Sequence, residues 1–380
     1  MLYIKTNNYK CLKVFSAYWT LLVSLALLPI QTAIAGSQSI MITVSKGFGL
    51  SLYASDLGDA KQIAMGANGT LFVGSNKSGT VHALVDSNQD GRVDKRYVIA
   101  KGLESPDAIA FHNGDLFVAT ENRIVRFIDI EQRLRRPSRP KEIYSDLPES
   151  DKKSARAMNF GPDGRLYVSI GAPCNVCEAS APYSSIIAIN VDTGASEQIA
   201  SGIRDVTGFD WSPQDGKLWF ADQGRDWMGD NLPPDEINRI DVAGSHYGFP
   251  YLHASSVVEP AYEKPKNLKI SVPIYELPAH VAPTGLAFYR GKQFPEIYHN
   301  QLFVAENGSY GILYNLPNQV GAPKDVYDIR FNSTDGELQS YWDQLYREIN
   351  RCNAAISREK AVVGGDPTVI SNLVGQAKFL

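Results

Sequence analysis

A five-residue pattern recurs along the chain, an apolar and aromatic run entered through a glycine turn. Gly69-Thr70-Leu71-Phe72-Val73 returns as Gly114-Asp115-Leu116-Phe117-Val118, as Gly164-Arg165-Leu166-Tyr167-Val168 and as Gly216-Lys217-Leu218-Trp219-Phe220. A fifth copy, Gln301-Leu302-Phe303-Val304, lacks only the glycine. Each copy reads as a tight turn feeding a buried strand, since a short apolar run bounded by turn residues suits a strand covered on both faces. The first four copies stand about fifty residues apart, room for four short strands and the size of one propeller blade. A β-sandwich would show turn signals without a repeat at that period. The pattern predicts an all-β chain built as a β-propeller, with insertions in the blade between the fourth and fifth copies. Near the C-terminus Trp342, Leu345, Ile349, Cys352 and Ile356 recur at three and four, the stripe of an amphipathic helix. Residues 341–380 are therefore set apart as a divergent tail carrying a C-terminal helix.

The N-terminal pattern is of a different kind. Lys5, Lys10 and Lys13 precede an apolar run from about Tyr18 to Pro29, and Ala33-Ile34-Ala35 supplies small residues for cleavage. This predicts a signal peptide over 1–35, a propeller over 36–340, and a periplasmic or secreted protein. The apolar run is short for a membrane span and no later stretch reaches its length, so no stable membrane insertion is expected after cleavage; an uncleaved anchor is the rival. The net charge of −4, a pI near 5.9 and the lack of a basic run give no reason to expect a nucleic-acid partner. Beyond the leader, Cys174, Cys177 and Cys352 remain. Cys174-Asn175-Val176-Cys177 is expected as a loop staple formed after export. The redox-active alternative normally opens a helix in an α/β fold, and one pair is too few ligands for zinc.

The densest candidate chemistry lies in Ala221–Tyr251, ADQGRDWMGDNLPPDEINRIDVAGSHYGFPY. Gln223-Gly224-Arg225-Asp226 follows the end of an apolar run, where functional loops sit on a rigid scaffold. Asp235-Glu236 re-enters a strand with two carboxylates at its mouth. Such oxygen-rich loops suit a hard cation like Ca²⁺, and equally a solvated acidic surface. Asp86 to Asp94 has the alternating oxygens of a calcium loop, but Tyr97 stands where a bidentate Glu is needed, which favours a polar hairpin.

The runs GRDWMGDNLPPDEINRI and HYGFPY resemble the soluble sugar dehydrogenases that use pyrroloquinoline quinone (PQQ), the glucose/sorbosone dehydrogenase family, and within it the sorbosone branch. The likeness runs from about Ile42 to Asn307. It implies a six-bladed propeller with a divergent or incomplete last blade, PQQ and Ca²⁺ as cofactors, a small sugar substrate and a respiratory electron acceptor. By the resemblance Arg204, in Gly202-Ile203-Arg204-Asp205-Val206-Thr207-Gly208, faces the quinone. Asp205 stands where the family has Asn; Thr207, Gln223 and Asp235 complete the cofactor set. Gly224 and Arg225 would give backbone oxygens to Ca²⁺, and His280 lies on the rim of the same face. Seven residues before the Phe160-Gly161-Pro162-Asp163-Gly164 turn the family places its general base, a histidine; here that position is Lys153. Ala305-Glu306-Asn307-Gly308-Ser309-Tyr310 keeps the family's Ala-Glu but not its His and Trp, and Ala322 replaces an arginine. The resemblance predicts a sugar oxidoreductase with Lys153, Arg204 and His280 as its catalytic residues. The replacements leave open a propeller that only binds a ligand or partner, or a calcium-dependent hydrolase of the lactonase type.

Overall fold

In the computed structural model the described residues are 2–5, 48–148, 156–229, 231–307 and 313–316. They are almost wholly β, with two single-turn 3₁₀ helices at Ile130–Gln132 and Glu296–Tyr298. Four antiparallel sheets follow one another along the chain. The first is made of Ala60–Met65, Leu71–Ser75, Thr80–Val85 and Lys95–Ala100, and the second of Ala108–His112, Asp115–Ala119, Ile124–Phe127 and Lys141–Tyr144. The third contains Met158–Phe160, Leu166–Ile170, Ser185–Ile189 and Ser196–Ser201; the fourth, Val206–Trp211, Leu218–Asp222, Pro234–Arg239 and Tyr275–Ala279. A three-stranded sheet of Pro283–Phe288, Leu302–Glu306 and Leu313–Leu316 comes next. The innermost strand of each sheet packs beside that of the sheet before it, which is the arrangement of propeller blades around an axis.

The repeated pentamers are the second strands of these five sheets. Their burial explains the pattern, because alternate residues of a strand face opposite ways. Leu116 and Val118 enter a cluster with Phe72, Val81 and Ala83 of the first blade, while Phe117 and Ala119 enter one with Met158, Leu166 and Val168 of the third. Leu218 and Phe220 meet Tyr167, Ile186 and Ala188 of the third blade, and Ala221 faces Leu286 and Val304 of the sheet beyond. The core therefore lies between blades, and every second strand must be apolar on both faces. The turn glycines Gly69, Gly114, Gly164 and Gly216 all have φ between 69° and 87°. In the fifth copy Asn300 adopts φ 59° at that place, a conformation Asn tolerates better than most residues.

The expectation of six blades is met only in part. The described residues hold four blades of at least four strands and one three-stranded sheet. The predicted insertion falls inside the fourth blade, between Pro234–Arg239 and Tyr275–Ala279. There the chain leaves to lay Ser245–His246 parallel to Ser196–Ser201 of the third blade, then forms a hairpin of Leu252–His253 with Val257–Val258. Within the segment read as a leader, Leu2–Lys5 pairs with Gly49–Leu52; residues 6–35, Lys153, Ala322 and the whole tail 341–380 lie outside the described residues. No helix among the described residues is long and apolar enough to cross a membrane.

Candidate functional site

In an antiparallel blade the start of the innermost strand and the end of the second strand share one end. That rule brings Arg204, Asp205 and Thr207, before or within Val206–Trp211, together with Gln223, Gly224 and Arg225, just after Leu218–Asp222. It adds His280 and Pro283 from the entrance to the next sheet and Glu306 from the end of its second strand. Sequence-distant residues singled out above thus meet at one end of the fourth blade and the sheet after it.

The foundation of this end is a set of buried carboxylates, each fixing a loop through backbone N–H groups. Asp222 accepts from the backbone N–H of Arg204 at 3.0 Å and of Asp205 at 2.7 Å. Asp235 accepts from Gly224 N–H at 2.6 Å and from Ala282 N–H at 2.8 Å, which ties both flanking loops to one strand. Glu236 accepts from Ala254 N–H at 2.6 Å and from Asn238 Nδ2 at 2.8 Å. Burial raises the pKa of all three, and the repulsion of Asp222 adds to that of Glu236. Glu306, 5% exposed, differs: its Oε1 has no hydrogen-bond partner among the described residues. Burial, with Asp235 nearby, pushes it up to about 7.

Arg204 does not project towards an open face. Its Nε donates to Asn175 O at 3.1 Å, and its Nη1 donates to Gly224 O at 2.8 Å and Gln223 O at 3.3 Å. Its Nη2 donates to Asn175 Oδ1 at 3.0 Å and lies 3.5 Å from Asp226 Oδ2. Asn175 is held in turn: Asp226 N–H donates to its Oδ1 at 2.8 Å, its Nδ2 donates to Asp226 O at 3.0 Å, and the Cys174–Cys177 disulfide brackets it. The staple reading of the two cysteines therefore holds, and it has a purpose that spacing alone did not reveal.

The remaining candidates are also engaged. Arg225 Nη1 donates to the buried Glu259 Oε2 at 2.6 Å, and the same oxygen lies 3.0 Å from His253 Nε2. Gln223 Nε2 donates to Pro283 O at 2.9 Å, and the Thr207 hydroxyl donates to that same carbonyl. His280 Nε2–H donates to Gly229 O at 2.8 Å, so the histidine braces the Gln223–Pro233 loop. Trp227, in that loop, is 86% exposed with φ 67°. In the Asp86–Asp94 hairpin, Asp86, Asp90 and Asp94 accept from N–H groups of their own loop.

Two groups that the resemblance assigns to cofactors are engaged with protein atoms in this structure. The Gly224 carbonyl assigned to Ca²⁺ accepts a hydrogen bond from a guanidinium, and a dication there would meet Arg204 at close range. The Arg225 guanidinium pairs with Glu259, in the segment inserted into the fourth blade. No cluster of three His, Cys, Asp or Glu side chains with metal-binding geometry occurs among the described residues. The donor set does not fit calcium. Arg204, assigned to the quinone, has its guanidinium N–H groups directed at protein oxygens, so it can meet the quinone oxygens of PQQ only by leaving this loop. Sequence reasoning also missed Asn175, Asp222, His253 and Glu259. The one signal for Asn175 was its place between two cysteines; Asp222 merely closes an apolar run at a strand end, and nothing local marked the other two.

Comparison with known proteins places these observations. An uncharacterized protein of Borreliella burgdorferi is 32% identical over 344 residues, 87% of either chain. Among solved structures, the holo PQQ domain of pyranose dehydrogenase from Coprinopsis cinerea superposes with a TM-score of 0.60 at 15% identity, covering 74% of this chain and 80% of its own. A calcium structure of a Trichoderma reesei carbohydrate-active enzyme of family AA12 also gives 0.60, at 18% identity over 72% of this chain and 80% of its own. At such identities the likeness is one of fold, and it supports the propeller. Residues 37–311 match the family model described as a domain of unknown function, DUF7133. The chain belongs to that family.

Proposed function

We propose that the protein is an exported oxidoreductase of the PQQ-dependent sugar dehydrogenase type, oxidising an aldose, sorbosone or a related sugar and passing electrons to a respiratory acceptor. One observation carries this reading. Arg204, Gln223, Asp235 and His280, drawn from separate segments, converge at one end of a propeller whose fold is shared with such enzymes. A six-blade ring and export belong to the same proposal, as does membership of the sorbosone branch.

PQQ, when bound, supplies the hydride acceptor. The chain must supply the rest. Asp235 and Asp222 hold the two loops that frame the site, through the N–H groups of Gly224, Ala282, Arg204 and Asp205. Proton removal from a sugar hydroxyl needs a base with a pKa near the working pH. Glu306 Oε1 meets that requirement among the described residues, being buried, unpartnered and raised to about 7. Lys153 would need a strongly lowered pKa to do the same work.

A second reading is favoured by the engaged guanidinium of Arg204: a propeller that keeps the scaffold and only binds a ligand. Titrating the purified protein with PQQ and following reduction of an artificial acceptor with aldoses or sorbosone separates the two. The first reading predicts saturable PQQ binding and sugar-dependent turnover. It also predicts that Glu306→Gln retains PQQ binding and loses about 10²–10⁴-fold in rate. No PQQ binding by the parent overturns it in favour of the ligand-binding propeller.

A further inference from the structure

We infer that the Arg204 guanidinium serves as a built-in cation for the Gln223–Asp226 loop, holding the loop without a divalent ion. Its surroundings carry the inference. Five oxygens approach the guanidinium: Gly224 O at 2.8 Å, Asn175 Oδ1 at 3.0 Å, Asn175 O at 3.1 Å, Gln223 O at 3.3 Å and Asp226 Oδ2 at 3.5 Å. Three backbone carbonyls, one amide oxygen and one carboxylate are the ligand types that hard cations take. Here they converge on an organic cation instead.

The arrangement is built rather than incidental. The Arg204 side chain is 14% exposed, so its charge is held in a largely closed setting. Asn175, which gives two of the five oxygens, is fixed from both sides. The disulfide of Cys174 and Cys177 limits its backbone, and its side chain exchanges two hydrogen bonds with the backbone of Asp226. The backbone N–H of Arg204 is anchored on Asp222, and that of Gly224 on Asp235. Both the cation and its oxygen ligands are therefore fastened to buried strand ends. A guanidinium suits the task because its planar fork can meet several oxygens at once and stays charged at any working pH.

The inference stands on the geometry of this loop and not on the sugar-oxidising reading. Its readout is ion binding, so the two can fail separately. Calorimetric titration of the parent with Ca²⁺, and melting in chelator against millimolar Ca²⁺, should show neither saturable binding at this loop nor a shift. In Arg204→Met the five oxygens lose their cation. That variant should gain saturable Ca²⁺ binding, with the melting temperature rising by about 5 °C at a hundredfold excess over Kd. Adding Asp226→Asn should remove the gain. Arg204→Lys keeps a positive charge and should fold and remain insensitive to Ca²⁺. Saturable Ca²⁺ binding by the parent that Asp226→Asn abolishes would overturn the inference. So would Ca²⁺ sensitivity in Arg204→Lys, or a folded Arg204→Met that gains no affinity.

Discussion

At the scale of single residues the candidate end is governed by how each buried charge is answered. Arg204, Arg225, Asp222 and Asp235 all have partners, so their charge is confined to local pairs. Glu306 Oε1 has no hydrogen-bond partner among the described residues, and the linkage of this carboxylate to pH follows from its burial. Its folded pKa of about 7 lies above the ordinary glutamate value of 4.5, so ionisation weakens the folded state. The sign is that of a raised carboxylate. Stability is unaffected below the unfolded value, falls between it and about pH 7, and stays reduced above, by at most about 3 kcal/mol. Glu306→Gln should therefore melt at a higher temperature than the parent at pH 8, and at nearly the same temperature at pH 4. A variant less stable than the parent at pH 8 would show that an ion pair holds the carboxylate. Reading Glu306 as part of a motif did not disclose this, because desolvation is a property of what the fold stacks around a side chain.

At the scale of elements, glycines that look alike in the sequence do different work. Gly216 needs φ 69°, and a Cβ there would meet nothing within 4 Å. The equivalent place in the fifth repeat already carries Asn300, so Gly216→Asn should cost little. Gly208 sits in the innermost strand of the fourth blade, where a Cβ would lie 2.5 Å from Leu286 N and 2.8 Å from Gly285 Cα in the next sheet. Gly208→Ala must push two blades apart, at about 1–3 kcal/mol or more. Thermal melts of the two variants check the contrast; equal losses would refute it. The turn glycines were legible in the chain because a tight turn before an apolar run has a local signature. The close approach at Gly208 was not, since it depends on a strand more than seventy residues away in sequence.

At the scale of the whole molecule, the proposed export would give the disulfide an oxidising compartment. Cleavage after Ala35 would remove Cys11, and the Cys174–Cys177 bridge would leave Cys352 as the free cysteine. Thiol titration of the denatured, unreduced mature protein should find about one reactive thiol per chain, and about three after reduction; three before reduction would exclude the bridge. The sequence by itself determined the repeat, its glycine turns, the two-faced burial of the second strands and the insertion in the fourth blade. It could do so because strand period and turn conformation are set by neighbouring residues. Only the tertiary structure decided that Asn175, twenty-nine residues before Arg204 in the chain, shares a guanidinium with the Gly224 carbonyl, and that the buried Glu306 Oε1 has no hydrogen-bond partner among the described residues. Those facts depend on distances between the ends of separate blades, which no local pattern encodes.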